Sequence, residues 1–87
     1  MRYHLLSFTQ EITKDYIRYR LRVAGSSRDL FHEEALVAIH QFSGGTPRLI
    51  NILCDNAMLE GFLRKKDKID VSMIKEVAQE LMLIPQP

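Results

Sequence analysis

Length, composition and charge limit this sequence to one small globular domain. The chain has 87 residues, of which 46% are hydrophobic and 26% are charged, with 3 prolines and 4 glycines, and this composition excludes a second domain, a disordered tail and a collagen-like repeat. The formal net charge of +1 favours neither a nucleic acid nor a membrane as the partner.

The first predicted helix begins at Thr9 and ends near Ala24. The hydroxyl of Thr9 can accept a hydrogen bond from a free N–H group, and Glu11 complements the positive end of the helix dipole. Apolar residues recur at spacings of four, three and four residues, which predicts one buried face. That face contains Ile12, Tyr16, Tyr19 and Val23.

A second face of the same helix is basic. It carries Lys14, Arg18 and Arg22, which we call the basic stripe. Such a stripe can contact the phosphates of a nucleic acid or of a nucleotide, but a solvated helix face is the commoner arrangement. We therefore expect the basic stripe to lie in solvent.

The second predicted helix extends from about Glu33 to Phe42. Its first turn is acidic, which complements the helix dipole, and Gly44 or Gly45 ends it. His32 precedes it at a position where the cap is usually Ser, Thr or Asp, so we expect an imperfect cap. The inner face is predicted to contain Ala35, Leu36, Ile39 and Phe42.

The third predicted helix starts at Thr46 and Pro47. We expect the threonine side chain to cap free N–H groups, and proline is preorganised for the first helical position. Apolar residues then cover most of the helix circumference as far as Leu63, which predicts a central helix. Basic residues follow from Arg64 to Lys66, where they suit the negative end of the dipole.

The fourth predicted helix begins at Asp70 or Ser72 and ends before Pro85. Its inner face contains Ile74, Val77, Ala78 and Leu81. Together the helices predict an all-α fold, a small four-helix domain with a short extended arm at its N-terminus. We divide the chain into an arm at 1–8, the helical domain at 9–84 and a tail at 85–87.

The sequence predicts no catalytic residue and no metal site. The histidines His4, His32 and His40 lack the spacing of a helical ligand pair, and we expect His40 to be solvated. The single Cys54 excludes an internal disulfide. Because Cys54 lies among apolar residues, a buried and inert thiol is expected there.

One segment has the composition of an anion sensor. Gly44 and Gly45 provide a flexible turn, Thr46 and Pro47 a rigid helix start, and Arg48 a guanidinium at the positive end of a helix. The helix dipole and the fork of N–H donors act at the same place, which suits a phosphate or a carboxylate. A plain solvated arginine is the alternative that this spacing leaves open.

Two polar residues share the helix face of Arg48. Asn51 follows it by one helical turn and Asp55 by about two. Residues at such spacings are neighbours on a helix surface, so we expect both side chains to orient the guanidinium.

A longer pattern resembles the helical lid of AAA+ ATPases. The residues that carry it are Tyr16-Ile17-Arg18-Tyr19-Arg20-Leu21, Ala24-Gly25, Phe31 with Ala35, and Ser43-Gly44-Gly45-Thr46-Pro47-Arg48-Leu49-Ile50-Asn51-Ile52-Leu53-Cys54. Among these ATPases the chain resembles the family of general secretion pathway protein A and the related ATPase of MSHA pilus biogenesis, over nearly its whole length. The resemblance implies that Arg48 is the sensor-2 residue, which reaches the γ-phosphate of ATP. It also implies positioning roles for Gly45, Thr46 and Pro47 and an orienting role for Asn51.

In that family the lid follows a P-loop core with Walker A, Walker B and sensor-1 elements, and this sequence contains none of them. The resemblance therefore implies an excised lid that cannot hydrolyse ATP alone, with ATP and Mg²⁺ bound only by a parent ATPase. The implied partners are the P-loop core of the same parent chain, other subunits of the ATPase, and components of type II secretion or pilus assembly. Residues 1–8 would connect core and lid, and nucleic acid is not expected.

Two other functions stay open. In a protein-interaction module, the apolar arm and the tail at Leu83 and Ile84 would dock onto an ATPase or a pilus component. In a small DNA-binding domain, the third helix would enter the major groove, but its exposed face is largely apolar or acidic after Asn51. We expect a cytoplasmic location, because no stretch approaches the roughly 18 apolar residues of a spanning helix. The parent ATPase can be anchored to the inner membrane.

Overall fold

The computed structural model describes residues 7–26 and 29–85. These residues form four helices, α1 (Gln10–Val23), α2 (Glu33–Ser43), α3 (Pro47–Leu63) and α4 (Val71–Glu80). The predicted all-α fold is thereby confirmed. Most of the predicted arm falls at 1–6, outside the described residues.

The core is built around α2, which packs against each of the other three helices. α3 packs against α2 and α4, and Ile50, Leu53 and Ala57 on its inner side have no exposed surface. The sequence predicted α3 as the central helix, and this is wrong for its outer side, where Leu59 and Phe62 are more than half exposed. The reason is that α1 packs mainly against α2, which leaves this side of α3 uncovered.

The buried side of α1 is rotated by about one residue from the predicted face. Of the residues predicted to be buried, Ile12, Tyr19 and Val23 are at least half exposed. The residues that are buried in α1 are Thr13, Lys14, Ile17 and Leu21. Both faces satisfy a helical spacing, so the choice between them depends on what α1 packs against.

The basic stripe is part of the contact between α1 and α2. The Lys14 ammonium is paired with Glu33, in the first turn of α2, and Arg18 Nη2 donates to Glu33 Oε1 over 3.0 Å. The hydrogen bond from Lys14 lowers the pKa of Glu33 and raises that of Lys14. The expectation of a solvated stripe is therefore wrong for Lys14, which is buried beside the Glu33 carboxylate, whereas Arg18 shares that carboxylate and keeps part of its side chain exposed.

The helix starts differ in how their free N–H groups are satisfied. Thr9 Oγ1 accepts from Ile12 N–H over 3.2 Å, as predicted for α1, and Asp70 Oδ1 accepts from Met73 N–H over 3.0 Å, so that Asp70 is the cap of α4 and not the alternative Ser72. His32 makes no side-chain cap, also as predicted. The predicted capping bond of Thr46 at the start of α3 is absent.

A short backbone contact joins the entries of α2 and α4. Ile69 N–H donates to the Leu30 carbonyl over 2.8 Å, and His32 N–H donates to the Ile69 carbonyl over 3.0 Å. Phe31 and Ile69 are both buried at this bridge. The bridge holds the starts of α2 and α4 beside one another.

Candidate anion-binding site at the start of helix α3

The turn between α2 and α3 places Arg48 in the first turn of α3. Gly44 and Gly45 have φ of 64° and 80°, the left-handed region that favours glycine. Ser43 Oγ accepts from Gly45 N–H over 3.1 Å, and the Ser43 carbonyl accepts from Thr46 N–H over 3.1 Å. These bonds fix the turn in one geometry, so the position of the arginine backbone is set by α2.

Phe8, the residue before the cap of α1, lies on this turn. Its N–H donates to the Gly45 carbonyl over 2.7 Å, and its carbonyl oxygen lies 3.0 Å from Nε2 of His40, which donates to it. The ring of Phe8 packs edge-on against Tyr16, with ring centroids 5.3 Å apart. The prediction that His40 is solvated is wrong, because the chain that enters α1 covers it.

Arg48 itself is exposed. Within 7–26 and 29–85, no carboxylate lies at ion-pair distance from it, whereas Arg18, Arg20 and Arg64 each have an acidic partner. Of the four described helices, α3 alone has neither a side-chain cap nor an acidic residue in its first turn. This part of the structure therefore combines a free guanidinium with uncapped helix N–H groups.

The two residues expected to orient Arg48 have partners on α1. Tyr16 Oη donates to Asn51 Oδ1 over 2.8 Å, and Arg20 Nη2 lies 3.4 Å from Asp55 Oδ1. Both contacts tie α3 to α1. The orienting role of Asn51 toward Arg48 stays a prediction, while the carboxylate of Asp55 is directed to Arg20.

Cys54 and the metal-ligating residue types are the other candidate groups of this chain. Cys54 is buried, and burial raises the pKa of its thiol to about 12, so a thiolate nucleophile is not available near neutral pH. Among the described residues no group of three or more His, Cys, Asp or Glu side chains could hold a metal ion. In the same part of the chain, no helix has the length and apolar character needed to cross a membrane.

Sequence reasoning missed Phe8, Tyr16 and His40 as neighbours of the site. An aromatic residue directly before a helix cap is a recognisable signal, since such residues often pack against the helix that follows. That signal points to α1, however, and does not reveal the bonds from Phe8 to Gly45 and His40, which come from residues more than thirty positions later.

A second surface feature lies at the far end of α3. A cavity of about 220 Å³ opens there beside the exposed side chain of Phe62. It is lined by Leu30, Met58, Gly61, Phe62, Lys66, Asp67 and Ile69. The cavity is mainly apolar and shares no residue with the start of α3.

Comparison of the sequence with known proteins identifies a relative of this chain. General secretion pathway protein A of Aeromonas hydrophila is 44% identical to the chain over an alignment of 75 residues, and the alignment covers 83% of this chain and 14% of that protein. This similarity supports the resemblance of the chain to the general secretion pathway protein A family. Because the chain spans only 14% of General secretion pathway protein A, the match concerns this segment and not the activity of the whole relative. No family model matches the chain, and no solved structure matches it.

Proposed function

We propose that this chain is the helical lid of an ATPase of the general secretion pathway protein A family, and that Arg48 contacts the γ-phosphate of ATP held by a P-loop core. The observation that carries the proposal is the open start of α3, where an exposed arginine has no ion-pair partner within the described residues. The similarity to a protein named for the general secretion pathway supports a role connected with secretion.

The electrostatics of this helix start favour an anion. The first N–H groups of α3 have no intrahelical acceptor, and the helix dipole places about half a positive charge at the same end. Thr46 does not cap them, and the first turn contains no acidic residue. A phosphate oxygen near Arg48 would therefore gain a charge-assisted hydrogen bond and the field of the helix.

The proposed role of Arg48 is to make the lid angle depend on the nucleotide. The guanidinium donates to a γ-phosphate oxygen in the closed arrangement and loses this acceptor after hydrolysis. Gly45, Thr46 and Pro47 position the arginine, and Asn51 orients it. ATP, with Mg²⁺ on the core, supplies the phosphate bond that is cleaved.

The parent ATPase in this proposal acts through its own core, through further subunits and through secretion or pilus-assembly components. Duplex DNA is not a proposed partner. Lys14 and Arg18, which a DNA-binding surface would use, both pair with the carboxylate of Glu33, and the outer side of α3 carries the acidic Asp55 and the apolar Leu59.

The test is a chimera in which this chain replaces the matched segment of the Aeromonas protein. With Arg48 present, we expect ATP turnover, whereas the 87-residue chain alone should show none above background. Arg48→Ala should lower turnover by about 10-fold to 100-fold, because a hydrogen bond to a charged group contributes about 1.5–3 kcal/mol. Arg48→Lys should restore little of it, since an ammonium does not reproduce the planar fork.

Arg22→Ala is the matched control, because Arg22 is also exposed on a helix but lies on α1. It should leave turnover unchanged. Turnover that is equal in the Arg48→Ala chimera and the unmodified chimera contradicts the sensor role, and so does a chimera that folds but never hydrolyses ATP.

A protein-docking module is a second candidate, favoured by the apolar surface at the far end of α3. Leu59, Phe62 and Leu63 are all more than half exposed there, and a cluster of this kind often marks a binding surface. The tail proposed for docking from the sequence is only partly available, because Leu83 packs against the core while Ile84 is exposed. Phe62→Ser with loss of complex formation but unchanged ATP turnover would assign this surface to docking.

A further inference from the structure

Two paths of contact lead from Phe8 to the residues on either side of Arg48. The first is the main chain, where Phe8 N–H donates to the carbonyl of Gly45, three residues before the arginine. The second passes through the Phe8 ring, which packs on Tyr16, whose hydroxyl donates to Asn51, three residues after the arginine. The first turn of α3 is thus held at both ends by contacts that begin at one residue.

The approach of Phe8 depends on the absence of a side chain at Gly45. A Cβ there would lie 2.9 Å from the Phe8 nitrogen and closer still to its carbonyl oxygen, so the two segments could not stay in contact. Gly25 has a similar φ of 93°, yet a Cβ there would have no atom within 4 Å. The two glycines therefore share a positive φ but differ in what surrounds them.

His40 closes the arrangement from α2. It donates to the Phe8 carbonyl, so both main-chain polar groups of Phe8 are bonded to α2 or to the turn that follows it. Phe8 is half-buried and so is His40. A displacement of the segment that enters α1 would have to break these bonds or carry the start of α3 with it.

We propose that Phe8 is a positioning residue for Arg48, so that the segment entering α1 and the first turn of α3 move as one unit. This inference rests on the proposed function for its consequence, because that segment would be the connection to the core. In a lid of this kind, a change of angle at the connection is transmitted directly to the arginine.

The contact itself is tested on the 87-residue chain by NMR, without nucleotide. Phe8→Ala should shift the backbone and Nε resonances of Arg48. Phe8→Tyr should leave them close to wild type, because the ring and its packing on Tyr16 are kept. Tyr16→Phe removes only the hydroxyl and should shift the resonances of Asn51 and Arg48 while the Phe8 resonances move little.

Gly45→Ala and Gly25→Ala form a matched pair of controls. Both place a side chain at a positive φ, so both should lower the melting temperature. Only Gly45→Ala should abolish the protection of the Phe8 amide against hydrogen exchange and shift the Arg48 resonances. This separates a positioning role from a general loss of stability.

Arg48 resonances that stay at their wild-type positions in folded Phe8→Ala, or that move equally in Gly25→Ala, overturn the proposal. Phe8→Leu, which keeps most of the apolar surface, serves if Phe8→Ala does not fold. In the chimera, Phe8→Ala should lower ATP turnover by up to about 100-fold, as a misplacement of about 1 Å can, and should add nothing in the Arg48→Ala background. Arg48 resonances that do not respond to Phe8→Ala refute this inference alone. ATP turnover that is unchanged by Arg48→Ala refutes the proposed function alone.

Discussion

The starts of α4 and α3 differ in whether the free N–H groups of the first turn have an acceptor within the domain. At α4, the carboxylate of Asp70 accepts from Met73 N–H and from Ser72 Oγ, so the positive end of the helix is neutralised within the domain. At α3, the Thr46 hydroxyl makes no such bond, and the nearby charge, Arg48, is of the same sign as the helix end. The start of α4 is capped within the domain, and the start of α3 is left open for the anion that we propose it binds.

This difference separates stability from the proposed function over a very short length of chain. Ile50 is fully buried and Arg48 is exposed, although they are only two residues apart. Substitutions along this segment should therefore fall into two classes, those that unfold the domain and those that leave it folded but change what it binds.

The largest effect is expected at Ile50, on the packed side of α3. Ile50→Ala removes buried methyl and methylene groups and should lower the free energy of unfolding by about 2–5 kcal/mol. The measurement is a chemical or thermal melt of the 87-residue chain. A loss below about 1 kcal/mol would mean that this side of α3 is loosely packed, and the contrast between its two sides would fail.

The next effect is expected at the closed start of α4. Asp70→Ala should cost about 1 kcal/mol, the usual contribution of a helix cap. Asp70→Asn should cost much less at neutral pH, because asparagine is an equally good cap. Urea melts of the two variants and the wild type provide the comparison, and equal losses in both would show that the charge and not the cap stabilises α4.

The same residue makes a pH prediction. Hydrogen bonds from Ser72 Oγ and Met73 N–H lower the pKa of Asp70 to about 2, below its usual value of about 3.9. A lowered pKa in the folded state stabilises the fold above the unfolded-state value, so this contribution is present above about pH 4 and is lost as the pH falls toward about 2. Wild type should lose more stability over that interval than Asp70→Asn, and parallel curves would contradict the assignment.

A smaller effect is expected at the open start of α3. Thr46→Ala should change the free energy of unfolding by less than about 0.5 kcal/mol, because the hydroxyl makes no cap bond. Asp70→Ala measured beside it gives the matched comparison of two cap positions. A loss near about 1 kcal/mol for Thr46→Ala would show that this start is closed in solution.

The smallest effect on stability is expected at Arg48. Arg48→Ala should change the free energy of unfolding by no more than about 0.5 kcal/mol, since the side chain is exposed and unpaired within the described residues. The melt should therefore overlay that of the wild type even where ATP turnover of the chimera falls. A marked loss of stability would assign Arg48 a packing role and remove the contrast.

Local chemistry was enough to predict most of the helix starts. Thr9, Asp70 and Pro47 act within one turn of chain, so the sequence placed α1, α3 and α4 correctly at their beginnings. The inner residues of α2 and α4 were also largely predictable. Leu36, Ile39 and Ile74 lie on the faces that the apolar spacing predicts, and they are buried.

The errors arise where one segment meets another that is distant in sequence. Lys14 is buried in an ion pair with Glu33 on α2, and no pattern within α1 predicts that pair. His40 is likewise covered by Phe8, a residue distant from it in sequence. For the candidate site, the sequence predicted the turn and Arg48 but not the contacts of Phe8 and Tyr16, which depend on how α1 lies across the other helices.

The burial of Cys54 makes the rest of the surface chemically addressable. It is the single cysteine of the chain, and with a thiol pKa of about 12 it should not react with maleimides or with mild oxidants near neutral pH. A cysteine introduced at an exposed position would then be labelled alone, with the native thiol left in place. Paired labels at Ser7 and Gln79, both exposed, would report by a change in distance whether the entering segment ever leaves the helical domain.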